Sequence, residues 1–161
     1  MKKTILIPTF IVGGVVGFLI YSKTLGKNQL KKIDTLTDGN FKFKEFYDVL
    51  NQWLRVKQEG KNVSEYLLKN NYKNIAIYGM RELGEALLEE LKDTEVNVKY
   101  AIDQNAEDIY VPIDVLRPDD DLEPVDAVVV TAIHWYEVIE INMKDKLGCP
   151  VISLGDIVYE L

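Results

Sequence analysis

Gly79, Gly84 and Asp103 carry the spacing that most resembles a chemical device. Gly79 follows the apolar run Ile75-Ala76-Ile77-Tyr78, and Asp103 closes a second apolar run 24 residues later. A strand, a glycine turn, a helix and a second strand ending on an acid make the βαβ unit that holds nucleotides. In such a unit the turn lets a phosphate approach the backbone. The helix N-terminus then directs unpaired N–H groups and a positive dipole end at it. Asp103 reads either as an acceptor for ribose hydroxyls, which disfavours a 2′-phosphate and so favours NAD or another nucleotide over NADP, or equally as an exposed loop carboxylate after a strand.

The usual fingerprint has three glycines, and Arg81 stands where the middle one belongs. Two readings of Arg81 follow. Its guanidinium grips a phosphate directly, or it fills the phosphate site and pairs with Asp103, leaving a retired pocket; the bulk at this position favours the second. Open α/β sheets bind ligands beyond the carboxyl ends of their strands. That edge gathers Gly79, Met80, Arg81, Gly84, Asp103, Gln104 and Thr131 as candidate cofactor-binding residues.

His134 is the only histidine, flanked by Trp135 and Tyr136. It reads either as a general acid or base or, better, as a loop histidine with apolar neighbours. No nucleophile elbow, Tyr-x-x-x-Lys pair, Cys-x-x-Cys or His-x-x-x-His accompanies it. Asp119-Asp120-Asp121 lacks the alternating ligands and glycine turn of a calcium loop, so no metal is expected there. Dehydrogenases and epimerases need residues beyond five strands to hold substrate, so turnover by this chain alone is not expected.

The elements that must position these residues are legible from periodicity. Strands are expected at Ile75–Tyr78, Val96–Ile102, Tyr110–Val115, Ala127–Thr131 and Val151–Ser153. Helices are expected at Glu82–Lys92 and Tyr136–Leu147, with a terminal helical turn at Asp156–Glu160. The alternation predicts an α/β fold: a Rossmann-like parallel sheet of about five strands over residues 71–161, with helices on both faces. Before it, residues 42–70 read as a helical stem. Phe43, Phe46, Tyr47, Leu50, Trp53 and Leu54 form one amphipathic stripe, expected to pack on the following domain rather than on a partner. Asn62 and Glu65 resemble a capping box that opens a short helix through Leu68.

Residues 5–21 form a nearly unbroken apolar run, and no charge occurs between Lys3 and Lys23. That length suits one membrane crossing. The residues after the run make a poor cleavage site, so an uncleaved anchor over residues 1–22 fits better than a signal peptide. Residues 23–41 are polar and lysine-rich and read as a juxtamembrane linker. The lysine balance and the need for nucleotides place the soluble domain on the cytoplasmic side of the cell membrane, as a single-pass protein. Gly13-x-x-x-Gly17 is a weak homodimer signal.

The net charge of −7 is unevenly spread. Residues 1–60 hold ten Lys or Arg against five acids, while residues 61–161 hold nine against twenty-one. An acidic folded body behind a basic front argues against nucleic acid and for a membrane-proximal segment. The lone Cys149 fits a reducing compartment.

The residues Trp53-Leu54, Asn74-Ile-Ala-Ile-Tyr-Gly-Met80, Leu83-Gly84, Tyr100-Ala-Ile-Asp103, Val125-Asp-Ala-Val-Val-Val-Thr131 and Ile152-Ser-Leu-Gly-Asp-Ile157 carry a resemblance. Over about residues 45–161 the chain looks like small Rossmann-like domains labelled as nucleoside-diphosphate-sugar epimerase-like or NAD(P)-binding. These occur in bacterial surface-polysaccharide and glycosyltransferase settings. The resemblance implies a nucleotide or nucleotide-sugar ligand and polysaccharide-synthesis enzymes as partners, or a docking role beside them. It also implies, as an alternative, a component of a nucleotide-sugar oxidoreductase or epimerase using NAD. Family members often carry glycine where this chain has Arg81. A structural module with a degenerate pocket is the further alternative.

Overall fold

The computed structural model describes residues 9–161, with side chains at Lys32 and from residue 35 onward. The chain divides into two units, Met1–Phe43 and Lys44–Leu161. Helix α1 (Thr9–Gln58) supplies the described backbone of the first unit. The segment expected as a linker, residues 23–41, is therefore helical, braced in part by a Lys42–Asp38 ion pair of 2.8 Å. The membrane anchor expected over residues 1–22 lies outside the residues whose side chains are described. Among the described residues, no helix is long and apolar enough to cross a membrane.

In the second unit the chain continues through α2 (Val63–Lys69), β1 (Asn74–Tyr78), α3 (Glu82–Leu91), β2 (Asn97–Ile102) and β3 (Val115–Leu116). It ends with β4 (Ala127–Val130), α4 (Tyr136–Leu147), β5 (Val151–Ser153) and α5 (Leu154–Glu160). All four strand pairings are parallel, in the order β3-β2-β1-β4-β5. Parallel neighbours cannot be joined by tight hairpins, which is why helices cross between them. The order is that of a doubly wound α/β sheet, reversing direction between β1 and β4.

Both sheet faces are covered, and the side-chain period of two sorts the residues between them. Ile75, Ile77 and Val129 pack with Leu83, Leu87 and Leu91 of α3, Leu67 of α2 and Leu154 and Ile157 of α5. Ala76, Tyr78, Val128 and Val130 pack with Ile139 and Met143 of α4 on the other face. A strand covered on both sides needs no polar face, which explains the unbroken Val128-Val129-Val130. Burying each such aliphatic side chain stabilises the fold by about 1.5–3 kcal/mol.

Three local expectations are corrected. The third strand is only Val115–Leu116, because Pro112 offers no N–H to a ladder and the preceding residues run as an irregular edge. Asn62 caps α2 by position but not by side chain. Its Oδ1 accepts Lys57 Nζ and its Nδ2 donates to Glu65 Oε1 at 3.4 Å, while the Glu65 N–H goes to the Asn62 carbonyl at 3.1 Å. The Val63 N–H goes to Glu90 Oε1 at 2.7 Å. The aromatic stripe of α1 also divides. Val49, Trp53 and Val56 are buried and Phe46 is partly buried, whereas Phe43, Tyr47, Leu50 and Leu54 are exposed. The stripe expected to pack on the domain is in fact two apolar faces of one helix.

Candidate functional site

The site is built at the carboxyl ends of β1 and β2. Gly79 leaves β1 with φ +95°, a conformation in which an L side chain is strained. A Cβ there would also meet Thr131 Oγ1 at 2.9 Å and the Ala132 nitrogen at 3.1 Å. The Gly79 N–H donates to the Ile102 carbonyl at 2.8 Å, and the Thr131 hydroxyl donates to the Gly79 carbonyl. The turn is thus held from β2 on one side and from the end of β4 on the other.

Gly84, in the first turn of α3, packs directly on this turn. A Cβ at Gly84 would stand 2.1 Å from the Gly79 carbonyl oxygen, so no larger residue fits without moving backbone. Gly79 and Gly84 therefore occupy the tight-turn and close-packing positions of the fingerprint.

Asp103 follows β2 and is 8% exposed. Its Oδ2 accepts the Met80 N–H and its Oδ1 accepts the Asn105 N–H, each at 2.9 Å. A carboxylate offers about four acceptor positions, so two remain. Arg81 is not one of its partners. The guanidinium is exposed at the N-cap of α3, and no ion pair joins it to Asp103 among the described residues. This corrects the pairing expected for a retired pocket: Asp103 accepts two backbone N–H groups, and Arg81 faces solvent.

Of the remaining candidates, Met80 is 1% exposed with its side chain in the core, so only its backbone reaches the turn. Thr131 is buried and spends its hydroxyl on the turn itself. Gln104 is exposed and lines the same groove as Tyr78. Burial pushes the Tyr78 hydroxyl above the usual phenol range, and the Gln104 contact acts the other way.

Gln104 and Tyr78 belong to an open groove of about 540 Å³, shared with Arg117, Asp119, Asn142 and Lys146. Arg117 pairs with Glu107 at 3.0 Å, and Lys146 donates to the Pro118 and Asp120 carbonyls. Sequence reasoning missed Arg117, Asn142 and Lys146. Arg117 stands at a strand end like the residues that were singled out, and Asn142 and Lys146 lie four apart on α4.

His134 sits in a short 3₁₀ turn after β4, away from that groove's lining. Its Nδ1 lies 3.0 Å from Glu45 Oε2 of α1, and its ring meets Trp135 edge to face at 5.2 Å. The pair ties the β4–α4 connection to α1. The comparisons add no relative to this geometry: no protein-family model, no curated protein and no solved structure matches the chain.

Proposed function

We propose that this chain is a Rossmann-like nucleotide-binding module, with the ligand's phosphates at the turn from Gly79 to Glu82. The observation that carries the reading is the exposed Arg81, free of Asp103, beside a turn that keeps its two structural glycines. Backbone N–H groups at the start of α3 and the Arg81 guanidinium supply the anion site. The spare acceptor positions of Asp103 suit ribose hydroxyls, which favours NAD, UDP or a nucleotide-sugar over NADP. With residues 1–22 as a single-pass anchor, the module works on the cytoplasmic face of the cell membrane, beside enzymes of surface-polysaccharide synthesis. Catalysis by the chain alone is not part of the proposal.

The sign of one substitution tests this. Calorimetric titration of the full chain with NAD, UDP and a UDP-sugar gives saturable binding to at least one. Arg81→Ala weakens it about tenfold or more, since a charge-assisted hydrogen bond contributes roughly 1.5–3 kcal/mol. Tighter binding in Arg81→Ala means that Arg81 plugs the site. No binding by either protein removes the nucleotide reading and leaves a docking module on the same fold.

A further inference from the structure

Helix α1 leaves an apolar face that its own domain does not use. In the unit that begins at Lys44, Tyr47, Leu50 and Leu54 are 55%, 44% and 55% exposed. In the unit that ends at Phe43, Leu36 and Phe43 are 58% and 69% exposed. Counted along the sequence, Leu36, Phe43 and Leu50 repeat every seven residues, and Tyr47 and Leu54 repeat seven apart between them. This is a heptad with Leu36, Phe43 and Leu50 at d, and with Asn40, Tyr47 and Leu54 at a. On a helix of 3.6 residues per turn, Val49, Trp53 and Val56 fall on a different face, and these three are the buried ones.

We propose that the heptad face is the seam of a parallel two-stranded coiled coil formed with a second copy of this chain. Three observations favour a second copy over another occupant. First, a strict 3.5-residue repeat serves a partner that carries the same repeat, and an in-register pair is self-complementary about a two-fold axis. Second, Asn40 is a lone polar residue at an a position. Only a parallel, in-register pair brings it opposite its own counterpart, where the two amides hydrogen-bond; any other pairing buries it unpaired. Third, the area is adequate. At the exposures above, five large side chains offer on the order of 500 Å² per copy, or roughly 1,000 Å² in the pair, which reaches the lower bound for a specific interface.

Local propensity points the same way. Thr35, Thr37, Asp38, Gly39 and Asn40 are poor helix formers, and a mid-helix glycine costs about 1 kcal/mol relative to alanine. Such a segment stays helical by packing, and the second copy provides it.

The test uses the full chain in detergent. Sedimentation is expected to give a dimer that Leu50→Glu dissociates, weakening association at least a hundredfold, while circular dichroism loses only the small helical signal of the segment around residues 35–40 and the α/β domain stays folded. With an added thiol oxidant such as copper phenanthroline, Leu50→Cys or Leu54→Cys is expected to form the inter-copy disulfide rapidly, whereas Gln52→Cys, outside the seam, does not. A monomeric wild type overturns the proposal. A dimer that survives Leu50→Glu does so as well, since the interface then lies elsewhere, for instance at the glycines of residues 13–17. Preferential cross-linking of Leu36→Cys to Leu54→Cys in mixed samples overturns the parallel arrangement.

Discussion

The Gly79 carbonyl oxygen lies where a Cβ on Gly84 would come within 2.1 Å of it. The obstacle is backbone, not a flexible side chain, so the start of α3 cannot sit against the β1 turn unless residue 84 is glycine. Gly84→Ala is expected to destabilise the fold by about 3 kcal/mol, at the upper end for overpacking a tight site. Urea unfolding measures it. A loss below about 0.5 kcal/mol would show that the helix is not held against the turn.

Glu90 is a second fixed point. Its side chain is 7% exposed, accepts Trp53 Nε1 at 2.8 Å and the Val63 N–H at 2.7 Å, and lies 3.4 Å from Lys57 Nζ. One carboxylate on α3 thus holds both α1 and α2. Glu90→Ala leaves two donors unpaired and is expected to cost about 3 kcal/mol, since each orphaned donor costs roughly 1–3 kcal/mol. Trp53 fluorescence should shift in the native state of the variant. An unchanged spectrum with unchanged stability contradicts the assignment.

Asp126 ties the start of β4 to the start of β1 by accepting the Asn74 N–H at 2.6 Å and the Lys73 N–H at 3.0 Å. The Asn74 N–H is the main cause that lowers its pKa below the ordinary 3.8. A carboxylate depressed in the folded state stabilises the protein above its unfolded pKa. That contribution is lost as pH falls from about 3.8 through the lower folded value. Asp126→Asn should therefore flatten the stability curve of the acid limb below about pH 4. Parallel curves for wild type and variant would show that Asp126 contributes no pH dependence.

Much of this architecture is legible in the sequence, for reasons particular residues make plain. Val128-Val129-Val130 announces a strand buried on both faces, and Gly148, at φ +63°, stops α4 where the sequence places it. Gly79, Gly84 and Asp103 converge because fingerprint spacing encodes a local turn and one crossover. What escaped depends on contacts between distant residues. Nothing near Asp103 says that its oxygens will be taken by Met80 and Asn105 rather than by Arg81. Asn62 and Glu65 have the spacing of a capping box, yet the Asn62 Oδ1 is turned to Lys57 and the Glu65 N–H bonds the Asn62 carbonyl. In α1, apolar residues three and four apart form a single stripe on paper. The two faces separate only once Val49 and Trp53 are seen in the core and Tyr47 and Leu50 in solvent.

The central claim is that phosphates dock on the turn between β1 and α3, and amide chemical shifts test it most directly. Isotopically labelled full chain in detergent would be titrated with UDP, a UDP-sugar and NAD while its backbone resonances are followed. The account predicts saturable shifts concentrated at Gly79, Arg81, Glu82 and Gly84, with smaller ones at Gln104, and their loss in Arg81→Glu. Shifts confined to the groove near Arg117 and Lys146, or no shifts with any of the three ligands, would contradict it.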